Sequence, residues 1–204
     1  MEFHLISNGE WPLGKFAEWA APLTPYVDFF HLREKMKSAK DIGKGVEQMM
    51  NLGIPPTKII INDRIDVAHA LGVAGVQLAF HSINTSDART AFPALRIGKS
   101  IHSEKEAVVA ENAGADYVMC GHIFPSKSKP DQPARGLELL ERVVNQVNIP
   151  VIAIGGITPR IIHKVSKTGA GGVAVMSGLM DTVDPQSVIS HYMEAIKRGD
   201  TSEW

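Results

Sequence analysis

His122 is the residue with the clearest chemical capacity, in the run Cys120-Gly121-His122-Ile123-Phe124-Pro125. An imidazole near its ordinary pKa of ~6.5 takes up and returns a proton at neutral pH, so one such side chain can serve a proton-transfer reaction. A lone loop histidine is more often a satisfied structural group, but a position just past a strand favours the chemical reading. Cys120, the only cysteine, invites a nucleophile reading that its apolar, alternating surroundings oppose; it reads as a packed thiol. A single cysteine also excludes an internal disulfide and a multi-cysteine metal site.

A second signal comes from glycines. Val151-Ile152-Ala153-Ile154 runs into Gly155-Gly156, and Gly172-Val173-Ala174-Val175 runs into Met176-Ser177. Backbone N–H groups exposed by such turns beside a helix start suit a phosphate dianion, which gives Gly155, Gly156, Met176 and Ser177 as the expected cradle. The plainer reading is two tight turns. Further polar residues fall at other strand ends: His31, Arg33 and Lys35, then Asn62 and Asp63, His81, Ser100 and His102. Asn62 and Asp63 also suit a helix start, and Asp63 as a Mg²⁺ ligand lacks an evident second carboxylate.

These residues are spaced by a repeated unit: an apolar, β-branched run, a turn, then a stretch of helical periodicity. The runs are Phe3–Ile6, Val27–Leu32, Lys58–Ile61, Gly75–Leu78, Leu95–Gly98, Tyr117–Cys120, Val151–Ile154 and Gly172–Val175. Most are apolar throughout, as strands covered on both faces should be. Amphipathic stretches at Glu104–Ala113, Gly136–Val147, Pro159–Lys167 and Pro185–Arg198 read as crossover helices. The pattern predicts an α/β protein, a single-domain (β/α)8 TIM barrel over residues 1–204, with Gly75–Leu78 the weakest strand. Chemistry is then expected where strands end and helices begin.

Composition narrows the function. A net charge of −1 with scattered lysines and arginines gives no footprint for nucleic acid. No run of about 18 apolar residues occurs, so no membrane partner is expected, and the polar start of the chain is unlike a signal peptide. A cytoplasmic location is the resulting expectation. Trp11, Trp19 and apolar helix faces leave a homo-oligomer open.

Several phrases resemble the thiamine phosphate synthase superfamily, in order and across nearly the whole chain. They are His31-Leu32-Arg33-Glu34-Lys35, Ile61-Asn62-Asp63-Arg64, Ala115-Asp116-Tyr117-Val118, Gly121 to Lys129, and Ala153-Ile154-Gly155-Gly156-Ile157. The synthase joins a pyrimidine pyrophosphate to a thiazole phosphate. The resemblance implies that Arg33 and Lys35 bind pyrophosphate, that Asn62 and Asp63 match its asparagine and metal-binding aspartate, and that Ser100 and Lys129 bind substrate.

The chain departs from the synthase pattern at three places. His31 replaces a glutamine, Ala79-Phe80-His81-Ser82 replaces a Gly-Gln-Glu-Asp type segment, and Gly121-His122 replaces Gly-Pro. Ser82 thus stands for the second metal-binding acid. With these changes the sequence resembles the TenI-like branch, the thiazole tautomerases. That implies an isomerase in thiamine biosynthesis, acting on a thiazole phosphate without metal or cofactor, with His122 as the acid–base residue. Arg33 or Lys129 would meet the substrate carboxylate. The alternatives are an active thiamine phosphate synthase and a non-catalytic regulator that binds a phosphate ligand.

Overall fold

The computed structural model describes residues 1–126 and 133–200. Eight parallel strands close on themselves in sequence order: β1 (Glu2–Ile6), β2 (Phe29–Leu32), β3 (Ile59–Asn62), β4 (Gly75–Leu78), β5 (Arg96–Ile101), β6 (Tyr117–Gly121), β7 (Val151–Ile154) and β8 (Gly172–Val175). Leu5 pairs with Val175 to complete the ring. This is the expected TIM barrel, with the short β4 in place between β3 and β5.

Strand alternation divides the core in two. Ile59 and Ile61 of β3, Phe3 and Leu5 of β1, and Val118 and Cys120 of β6 face outward into the layer shared with the helices. Ile60, Ile6, Tyr117 and Met119 face inward and fill the barrel together with Ile152 and Ala174. Apolar residues at consecutive positions therefore serve two different layers, and each fully buried Ile, Leu or Phe side chain contributes roughly 1.5–3 kcal/mol.

The helices lie outside: α1 (Leu13–Ala20), α2 (Ala39–Asn51), α3 (Ile65–Leu71), α4 (Thr85–Ala91), α5 (Glu104–Asn112), α6 (Gly136–Gln146), α7 (Ile162–Ser166), α8 (Ser177–Met180) and α9 (Pro185–Asp200). Ser38 and Ser103 cap α2 and α5, their hydroxyls accepting from the N–H of Asp41 and Glu106 at 3.2 Å each. Helix α3 stops at Gly72, which takes the left-handed conformation that glycine adopts without penalty.

Several boundaries differ from the sequence expectation by a residue or more, and three of them have a visible local cause. Val27 precedes β2 because its N–H is taken by Leu23 at 3.2 Å, a bond four residues long that closes the turn after the 3₁₀ segment Ala21–Leu23. Strand β5 runs on to Ile101, since Ser100 and Ile101 pair with Met119 and Cys120. The stretch from Pro159 begins as a 3₁₀ turn, Pro159–Ile161, before α7.

Candidate functional site

The carboxyl ends of the strands gather most of the expected polar residues on one rim. At the β1 and β2 ends, Ser7 Oγ donates to Glu34 Oε1 at 2.6 Å and accepts the Arg33 N–H at 2.9 Å. Glu34 also pairs with Lys37, whose ammonium donates to Gly9 O at 3.3 Å. The Glu34 carboxylate is buried, so these contacts replace water around its charge. The buckle fixes the backbone that launches Arg33, which is half-buried, whereas Lys35 stands exposed.

Asn62 closes β3 in register with Gln77 of β4. Gln77 Nε2 donates to Ser100 Oγ at 3.0 Å, so the ends of β4 and β5 are joined through one buried amide. Asp63 follows at φ 68, a left-handed conformation that is rare outside glycine and marks local strain. Its Oδ1 accepts the Ser82 hydroxyl at 2.6 Å and its Oδ2 lies 3.6 Å from His81 Nε2. Ser82 in turn accepts the Ala79 N–H at 2.8 Å, and Lys99 donates to Ala79 O at 2.7 Å. Burial lowers the pKa of Lys99. Arg64 turns away and pairs with Asp66 through two hydrogen bonds of 2.7 and 3.0 Å.

His122 follows β6, buried, with its preceding peptide bond cis. Ile123 and Phe124 donate to the carbonyls of Ile154 and Gly155 at 2.9 and 3.0 Å, stitching this segment to the end of β7. A Cβ on Gly155 would overlap His122, and one on Gly156 would overlap Phe124 and Pro125. Both glycines also hold positive φ, 98° and 66°, so close approach and turn geometry each require glycine here. Ile154 pairs with Ala174, which sets the Gly155-Gly156 turn beside Met176 and Ser177 at the start of α8. A cavity of about 420 Å³ is lined by His122, Pro133, Ala134 and Arg135.

The arrangement thus brings together Asn62, Ser100 and Asp63 on one arc and His122 with Gly155 on another. His102 lies apart, its ring 3.6 Å from Glu106 and its carbonyl held by Arg135 at 3.1 Å. Lys129 lies outside the described residues. Cys120 points outward into the core between sheet and helices, and burial pushes its thiol up to about 12, which removes it as a nucleophile. Sequence reasoning missed Ser7, Gln77 and the buried contacts of Glu34 with Ser7 and Lys37. Gln77 was discoverable as the one polar residue inside β4. Among the described residues no three His, Cys, Asp or Glu side chains come together as a metal cluster.

A sequence profile described as thiamine monophosphate synthase matches residues 3–179. A thiamine-phosphate synthase of Caldivirga maquilingensis is 37% identical over 164 residues, 80% of this chain and 77% of that protein. One from Pyrococcus horikoshii is 42% identical over 145 residues, 71% and 69% of the two chains. The structure of a thiamine phosphate pyrophosphorylase from Pyrococcus furiosus superposes with a TM-score of 0.82 at 29% identity, covering 97% of this chain and 96% of that one. The expected isomerase, a thiazole tautomerase working through His122, is overturned by these relatives, which are named as synthases. The inference failed because it gave too much weight to the acid replaced by Ser82: Mg²⁺ on a diphosphate is often held by a single protein carboxylate plus phosphate oxygens. Closed barrel, rim residues and matched relatives together place the chain in the thiamine monophosphate synthase family.

Proposed function

We propose that this protein is a thiamine-phosphate synthase, a transferase that joins a pyrimidine pyrophosphate to a thiazole phosphate with release of pyrophosphate. The observation that carries the reading is the set of synthase relatives at 37–42% identity covering more than two thirds of both chains. The rim supports it: Arg33 and Lys35 would supply cationic charge for a pyrophosphate, and Asn62 and Ser100 would supply neutral hydrogen-bonding groups beside it. The phosphate of the second substrate would lie on the adjacent turns of Gly155, Gly156, Met176 and Ser177. Binding both substrates against one rim converts their encounter into a reaction within a single complex.

A departing diphosphate calls for a divalent cation, and Asp63 fits as its protein ligand. The carboxylate is part-exposed at the mouth, and the Ser82 hydroxyl fixes one oxygen while leaving it further acceptor capacity. Mg²⁺ bound there would neutralise charge on the leaving group. Displacement of pyrophosphate by a ring nitrogen requires no proton to be removed, so His122 is assigned to the wall of the thiazole phosphate site, packed on Gly155, and not to general base catalysis. The test is formation of thiamine phosphate from the two substrates with Mg²⁺. Arg33→Ala is expected to lower kcat/KM by about 10²-fold, the scale for loss of one charge-stabilising group.

A further inference from the structure

The barrel interior holds a buried polar ladder. At its lower end Arg96 Nη2 donates to both oxygens of Glu2 at 3.0 Å, with the guanidinium over the rings of Phe29 and Tyr117 at 4.3 and 5.0 Å. His4 Nε2 lies 3.0 Å from Glu2 Oε2, and His4 Nδ1 lies 2.9 Å from His31 Nε2. Both imidazoles are wholly buried. Asn62 acts on the His31 ring from the next strand, yet His31 Nδ1 and Asn62 Oδ1 each lack a hydrogen-bond partner.

The charge states of this column follow from its surroundings. Burial lowers the pKa of His4, against the opposing pull of Glu2 and Asp28 and with help from Arg96. Burial lowers His31 further, helped by His4 and Arg96 and opposed by Asn62. For Glu2, burial works against ionisation, but hydrogen bonds from His4 and Arg96 outweigh it and hold the carboxyl below its usual range. The column is therefore one carboxylate and two neutral rings, each ring carrying one N–H.

Those states fix the direction of every bond. A carboxylate only accepts, so the His4 proton is on Nε2 and its Nδ1 is a bare lone pair. His31 Nε2 must then be the donor to it, which leaves His31 Nδ1 as an acceptor. The group that completes it has to be a hydrogen-bond donor, and the Asn62 amide offers an N–H when its oxygen and nitrogen exchange places, an isosteric half-turn. The same half-turn puts a donor where Oδ1 stands without a partner. We propose that His4 and His31 are positioning residues: they form a one-way ladder of N–H donors, Asn62 to His31 to His4 to Glu2, that fixes Asn62 with its carbonyl oxygen toward the mouth of the site.

The ladder does not depend on which reaction the rim performs, and nitrogen-15 spectroscopy of the histidine rings in the full chain tests it. Expected are two neutral Nε2–H tautomers for His4 and His31 at pH 7. In His4→Leu the His31 ring is expected to lose its single-tautomer signature, and in His4→Gln, whose amide can both accept and donate, to recover it. A His31 ring protonated on Nδ1, a charged His31 ring at pH 7, or a His31 signature unchanged in His4→Leu would overturn the proposal. Should His4→Leu fail to fold, the wild-type and His4→Gln spectra decide.

Discussion

Ser7 and Glu34 show how a single short hydrogen bond governs the backbone of the residue beside it, Arg33. Ser7→Ala removes one partner from a buried carboxylate and the acceptor of the Arg33 N–H, so a loss of about 1–3 kcal/mol in unfolding free energy is expected from urea titration. A variant as stable as the wild type would show that the buckle contributes nothing. Cys120 gives the opposite kind of prediction. Its buried thiol, raised to about 12, should resist a disulfide reagent in the native protein and react promptly in denaturant. Fast reaction of the folded protein would contradict its placement. The packed character of Cys120 was legible because its neighbours alternate between apolar layers. What His122 does was not, since an imidazole beside a strand end reads alike in sequence whether it transfers a proton or only packs against Gly155.

At the scale of elements, strands were easier to read than their ends. Eight apolar runs gave eight strands because both faces of each are covered, but Val27 was drawn into the turn before β2 and Pro159 into a 3₁₀ turn by backbone hydrogen bonds and ring geometry that hydrophobic pattern does not encode. The junction of β6 and β7 is where element packing meets the site. Gly155→Ala would place a methyl against His122 and hold a positive φ that alanine disfavours. Overpacking and backbone strain together predict a destabilisation of about 2–4 kcal/mol, read by denaturant unfolding. A neutral effect would mean that the 122–125 segment does not rest on the β7 turn. Neighbouring strands also explain why Gln77 escaped sequence reasoning. Its partner Ser100 lies on β5, and only the pairing of β4 with β5 brings the two together.

Taken as a whole, the molecule has helices packed outside and a polar column inside, and the column makes its stability depend on pH. His4 and His31 have folded pKa values below the ordinary ~6.5, so the unfolded chain binds more protons as pH falls below that value. The unfolding free energy should therefore decline below about pH 6.5, with a slope approaching about 1.4 kcal/mol per pH unit for each ring that stays neutral in the folded state. Urea midpoints between pH 5 and 8 measure this, and a His31→Gln variant should flatten the profile; an identical slope in that variant would contradict it. Glu2 acts in a lower window. Its depressed pKa adds stability above the ordinary carboxylate range that is lost as pH falls through the folded value.

The most direct test of the account is mass-spectrometric detection of thiamine phosphate after the full chain is mixed with the pyrimidine pyrophosphate, the thiazole phosphate and Mg²⁺. The synthase reading predicts product with wild type, about 10²-fold less per unit time at limiting substrate with Arg33→Ala, and little product in chelator. Folded wild-type protein that forms no thiamine phosphate above the enzyme-free background would contradict it.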